Sequence, residues 1–176
     1  MVKNTLVVNL YGGPGTGKST MMASLFSKLK WNKVDCEMAT EYAKDKVWEN
    51  SIHILDDQLY VTAKQYHRLF RLNGKVDVIL TDSPILLGTI YNETIKIPEF
   101  DILVYKLSEQ FNNLNIFLER KKDFNPNGRL QTEEEAKIKD KEILNMLDKF
   151  NIKPEYIIAK NESIDIIYNK IIEKIK

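Results

Sequence analysis

Gly12-Gly13-Pro14-Gly15-Thr16-Gly17-Lys18-Ser19 fits the spacing G-x-x-x-x-G-K-S/T. Upstream, Thr5-Leu6-Val7-Val8-Asn9-Leu10 is apolar and partly β-branched, as a buried strand requires. Downstream, Met21, Met22, Leu25, Phe26 and Leu29 recur at helical spacing from Ser19 onward. In a strand, glycine loop and helix in that order, successive backbone N–H groups turn inward and can hold a phosphate chain. The expected donors are Gly13, Gly15, Thr16, Gly17, Lys18, Ser19 and Thr20. Lys18 can bridge the outer phosphates and Ser19 can offer its hydroxyl to a magnesium ion. The stretch predicts a nucleoside triphosphate site.

Strands and helices alternate beyond that stretch. Residues 34–39 read as a second strand, and residues 40–48 as a helix capped by Thr40 with Tyr42 or Ala43, Val47 and Trp48 inward. Asp56 or Asp57 caps a helix to about Leu72, with Leu59, Ala63, Tyr66, Leu69 and Phe70 as its buried stripe and Asn73-Gly74 as its stop. Residues 76–82 form a third strand. Residues 84–92 and 98–112 read as helices, with Ser83 the cap of the first and Pro98 between them. Residues 115–119 and 156–159 read as further strands. The polar stretch 120–131 is a loop, Thr132 opens a capping box for a helix to about Phe150, and residues 162–175 close the chain as an amphipathic helix. This order predicts an α/β fold of three layers, a five-stranded and mostly parallel sheet covered on both faces, in one domain over residues 1–176. At 176 residues the chain is long enough to bury a core without disulfides, and its single cysteine, Cys36, excludes an internal disulfide framework and reads as a buried thiol.

Ligands of such sheets sit beyond the carboxyl ends of the strands, which makes Gly12, residues 39–41, Asp82-Ser83 and Arg120 neighbours. Asp82, directly after an apolar strand, can hold magnesium together with Ser19, or can cap the segment that starts at Pro84. Glu41 can accept the proton of an attacking hydroxyl, or it merely suits the first turn of a helix. Arg120 and Arg129 flank the 120–131 loop and can close over a transferring phosphoryl group. Gln58, Gln65, Tyr66, His67 and Arg68 lie on one helix, part of which can face an acceptor. His53 and His67 have no companions at metal-ligand spacing, which argues against zinc.

Lysine and arginine total 26 against 25 acidic residues, so no global charge favours nucleic acid or a membrane surface. No run of 18 apolar residues occurs and no signal-peptide pattern is present, so a cytoplasmic location is expected.

Four segments together, GGPGTGKST, Thr40 to Asp45, Gln65-Tyr66-His67-Arg68 and Thr81-Asp82-Ser83-Pro84, resemble the small P-loop kinases allied to the ribosylnicotinamide kinase domain of bacterial NAD-regulator proteins. Asn125 to Glu135 resembles the bacteriophage-encoded branch of that group. The resemblance implies a P-loop NTPase of nucleoside or nucleotide kinase type with a lid over the phosphates at about residues 120–131. It implies ATP and Mg2+ as cofactors, Lys18 and Ser19 at phosphate and magnesium, Asp82 as the acid after the third strand, Glu41 near the acceptor and Arg129 as a lid arginine. Many such kinases carry an arginine after that acid where this chain has Ser83. Phosphate recognition on an acceptor then falls to another residue, such as Arg68 or Arg71. The expected activity is transfer of the γ-phosphate of ATP to a small nucleoside- or nucleotide-like acceptor. The alternatives are a kinase acting on a modified base or terminus in DNA or RNA, and an ATPase or GTPase switch.

Overall fold

A computed structural model describes residues 3–95, 97–120 and 133–176. The lid expectation over residues 121–131, with Arg129, and the Thr132 cap lie outside these residues. The strands are β1 (Leu6–Tyr11), β2 (Cys36–Ala39), β3 (Val78–Thr81), β4 (Asn112–Glu119) and β5 (Glu155–Ile158). They form one sheet in the order β2-β3-β1-β4-β5, with every pairing parallel. The helices are α1 (Lys18–Trp31), α2 (Tyr42–Trp48), α3 (Gln58–Phe70), α4 (Leu87–Ile90), α5 (Pro98–Ser108), α6 (Glu133–Lys149) and α7 (Ser163–Ile175). A 3-10 turn, Ile52–Asp56, precedes α3.

β1 lies at the centre of the sheet and is buried along its whole length. Its alternate residues serve two cores, because successive side chains of a strand point to opposite faces. Leu6, Val8 and Leu10 pack with Met21, Met22, Leu25 and Leu29 of α1 and Ile167 and Ile171 of α7. On the other face, Val7 joins Leu69 of α3, and Tyr11 joins Phe100 and Val104 of α5 and Ile143 and Met146 of α6. Asn9 is the polar exception on β1. Its Nδ2 donates to Asn113 Oδ1 at 2.8 Å and Asn115 Oδ1 at 3.0 Å, so a buried amide is satisfied across the β1–β4 pair. Cys36 is fully buried, and burial pushes its thiol up to about 11.

Several sequence expectations are corrected. Thr40 does not cap α2. The capping residue is Glu41, whose side chain makes no capping bond. Only Tyr42 of α2 turns inward, edge-on to Tyr60, while Val47 and Trp48 are exposed. A two-turn helix at the sheet's rim has one side to bury, and that side is short. Asp57 does cap α3, its carboxylate accepting from Tyr60 N–H at 3.1 Å. The buried residues of α3, however, are Gln58, Thr62, Gln65 and Leu69, whereas Leu59, Ala63 and Phe70 face out. Gln65 can lie inward because it bonds the backbone at the start of α2, and Thr62 because Gly88 of α4 leaves it room. A Cβ on Gly88 would lie 2.5 Å from Thr62 Oγ1. Residues 84–92 hold only the short α4, beginning at Leu87, so neither Ser83 nor Asp82 caps a helix there. Pro98 opens α5 at its first turn, and that helix ends at Ser108 rather than residue 112, where β4 already begins.

Candidate phosphate and acceptor site

The glycine loop joins the carboxyl end of β1 to α1, and Gly17 is the capping residue with φ 93°. A Cβ is disfavoured in that left-handed conformation, and glycine is the residue that adopts it at no steric cost. The backbone then turns so that the N–H groups of Gly15, Gly17, Lys18, Ser19 and Thr20 carry no hydrogen bond to any described residue. Such orphan donors at a helix start, with the helix dipole behind them, make an anion site. Gly13 N–H differs from these. It donates to Asp140 Oδ1 of α6 at 2.5 Å, and Thr16 N–H makes a long 3.4 Å bond to Gly13 O.

Lys18 folds back over the loop, its Nζ donating to Gly12 O at 2.7 Å and Gly13 O at 3.0 Å. Burial holds its ammonium below the usual lysine range, and Glu41, Asp82 and Asp140 oppose that shift. Ser19 Oγ donates to Asp82 Oδ2 at 2.7 Å, while Asp82 Oδ1 is buried with no hydrogen-bond partner among the described residues. A hydroxyl beside a carboxylate with a free buried oxygen suits a hard, oxygen-binding cation such as magnesium.

Glu41 begins α2 just beyond the end of β2, within electrostatic reach of Lys18 and Asp82. Burial raises its carboxyl above the usual range, Lys18 pulls it back and Asp82 adds to the rise. α3 holds this turn in place. Gln65 Oε1 accepts from Tyr42 N–H at 2.9 Å and Gln65 Nε2 donates to Thr40 O at 3.3 Å. Arg68 Nη1 donates to Thr40 O at 3.0 Å and Thr40 Oγ1 at 2.7 Å, and Nη2 pairs with Asp45. The second and third of the four sequence segments therefore face each other, and Arg68 is engaged in that contact.

Arg120 closes the opposite side. Its Nη1 donates to Pro14 O at 2.9 Å and its Nη2 to Asp140 Oδ2 at 3.1 Å. It is pinned to the loop rather than free to swing. Lys18, Ser19, Glu41, Asp82 and Arg120 are thus brought to one end of the sheet, as the topology requires. Two neighbours had no signal in the sequence. Asp140 is one charge among many on a polar helix. Tyr91, at the end of α4, is 41% exposed; partial burial and the charges of Glu41 and Glu142 push its phenol up, and Lys139 lies 4.8 Å from its ring centre.

Residues 7–165 match the AAA domain family. No curated protein matches the chain. Among solved structures, NadR protein in complex with NR aligns with a TM-score of 0.70 and 16% identity, over 94% of this chain and 51% of that one. NadR protein in complex with NAD and AMP-PNP aligns with a TM-score of 0.68 and 16% identity, over 94% and 49%. Thymidylate kinase from Ehrlichia chaffeensis aligns with a TM-score of 0.56 and 13% identity, over 98% and 100%. The chain spans about half the length of the two NadR chains. At these identities the likeness is one of fold, and at that level it matches the relationship implied by the motifs. Most of the stretch that resembles the bacteriophage branch lies outside the described residues. The family match over residues 7–165, most of the chain's length, places this chain in the AAA domain family.

Proposed function

We propose that the chain is a magnesium-dependent phosphotransferase that moves the γ-phosphate of ATP to a small nucleoside- or nucleotide-like acceptor. The observation that carries this reading is the set of amides of Gly15 and of Gly17 to Thr20, unpartnered among the described residues, beside Lys18 and the Ser19–Asp82 pair. Ser19 and Asp82 would hold the magnesium ion, which when bound neutralises charge on the outer phosphates. The loop amides orient the triphosphate, and Lys18 stays beside the bond that breaks. Glu41 takes the proton of the acceptor hydroxyl as its oxygen bonds to phosphorus, and ADP departs. A carboxylate made more basic by burial is better suited to that step. Arg120 adds positive charge at the loop, and Arg129 is assigned the lid position by resemblance.

The acceptor side favours the nucleoside-like end of the range. Arg68, a candidate for an acceptor phosphate, is engaged by Thr40 and Asp45. The described charges acting on Glu41 are Lys18, Asp82, Lys44 and Asp45, and beside Tyr91 the ammonium of Lys139 is paired with Glu142 at 2.6 Å. The test is ATP turnover by the full chain against a panel of nucleosides, nucleoside monophosphates and oligonucleotides. Stimulation by a nucleoside supports the proposal, and stimulation by oligonucleotides alone, with a steep salt dependence, points to a nucleic-acid kinase. Slow hydrolysis that no acceptor stimulates points to a switch. A location in the cytoplasm fits this reading, and no helix among the described residues is long and apolar enough to cross a membrane.

A further inference from the structure

We infer that Asp140 is a positioning residue, which braces the glycine loop and holds Arg120 against it; the inference rests on the phosphotransferase reading above. One carboxylate makes both contacts. Oδ1 accepts from Gly13 N–H at 2.5 Å and Oδ2 from Arg120 Nη2 at 3.1 Å, while Arg120 Nη1 reaches Pro14 O at 2.9 Å. The result is a closed ring of Gly13, Asp140, Arg120 and Pro14 that grips two consecutive loop residues. Little solvent enters it, with side-chain exposures of 12% for Arg120 and 20% for Asp140. Charge-assisted bonds are strong in such a place.

The loop and α6 also touch through their backbones. A Cβ on Gly13 would lie 2.6 Å from Ala136 O and 2.8 Å from Asp140 Oδ1. Glycine at this position is therefore what lets α6 deliver its carboxylate to the loop. Arg120 Nε remains buried with no partner among the described residues, so one donor of the guanidinium is not consumed by the ring.

A purely structural contact would not need a charge here. A carboxylate beside a triphosphate grip opposes anion binding, and Lys18 lies within its field. The charge is explained by what it holds. Asp140 fixes a guanidinium at the loop, and a fixed cation can stabilise charge that develops during transfer without reorganising.

The test is Asp140→Asn in the full chain, which keeps an oxygen for Gly13 N–H and removes the charge that holds Arg120. ATP affinity is read by equilibrium dialysis with ATP, and turnover with the most active acceptor of the panel. The inference expects turnover to fall about tenfold or more, while ATP affinity stays level or tightens by up to about threefold. It also expects Asp140→Asn combined with Arg120→Gln to lose no more turnover than Arg120→Gln alone, because the pair acts as a unit. Unchanged turnover in Asp140→Asn overturns the inference. So do losses that multiply in the double variant, an equal loss of turnover and ATP affinity, and failure of Asp140→Asn to fold, since these mark a structural role or independent ones. A wild-type chain that neither binds nor consumes ATP overturns the phosphotransferase reading itself and takes this inference with it.

Discussion

Asp82 and Glu41 are two carboxylates in one site with different surroundings. Asp82 has one oxygen bonded to Ser19 and one buried with no partner among the described residues, an arrangement that suits a cation ligand. Asp82→Asn keeps an acceptor for Ser19 but loses the charge. It should reduce magnesium-dependent turnover by about 10²–10³-fold while metal-free nucleotide binding changes little, measured by turnover and by titration with EDTA present. Equal losses in both would assign Asp82 a structural role. Glu41 is held above the ordinary carboxylate range by burial. The folded chain therefore keeps this proton at pH values where the unfolded chain has released it. Stability contributed at this position falls as pH rises from the usual carboxylate value through the raised one. Glu41→Gln should be more stable than wild type above that window and equal to it below, by urea unfolding across the pH range. Its turnover should drop by about 10²–10⁴-fold. A variant less stable than wild type at neutral pH would refute the burial argument.

At the scale of elements, the contact between α2 and α3 sets where Glu41 stands. Gln65 satisfies the Tyr42 N–H at the start of α2 and shares the Thr40 carbonyl that precedes it with Arg68. Gln65→Leu fills similar volume and removes both bonds. A cost of about 1–3 kcal/mol is expected in urea unfolding, with turnover falling more than ATP affinity because Glu41 shifts and the glycine loop does not. This contact also explains why hydrophobic periodicity misplaced the face of α3. Leu59 and Phe70 obey the helical period, yet the face carrying Gln58, Thr62 and Gln65 is the buried one. Periodicity reports where apolar groups cluster. It cannot report that a helix will meet backbone groups that a glutamine satisfies, or a glycine that leaves room for a threonine.

For the whole molecule, the site is a meeting of β1, β2, β3, β4, α1, α2 and α6 at one end of a parallel sheet. A ligand bound there joins segments far apart in sequence and stabilises the folded state by mass action. ATP with magnesium at about 100 times its dissociation constant should add about 2.7 kcal/mol. That corresponds to a rise of roughly 5–10 °C in the thermal midpoint for a chain of this size. Lys18→Ala should fold with an unchanged circular dichroism spectrum and lose most of that rise. A full ligand-induced rise in Lys18→Ala would remove Lys18 from the site.

The amino-acid sequence by itself determined the alternation of strands and helices, the glycine loop after β1, and the expectation that Lys18, Ser19, Asp82 and Glu41 lie in that loop or just after strands. Each of these is encoded locally, in a few consecutive residues whose backbone preference or position after a strand declares them. Tertiary structure alone decided that Asp140 meets Gly13 and Arg120, that Arg68 is engaged by Thr40 and Asp45, and that Tyr91 stands near Glu41. Those pairs are formed by residues from 20 to 127 positions apart where the separations of the hydrogen bonds are concerned. A charge on a polar helix looks the same in sequence whether it faces water or a loop, and only the packing of α6 on the sheet distinguishes the two.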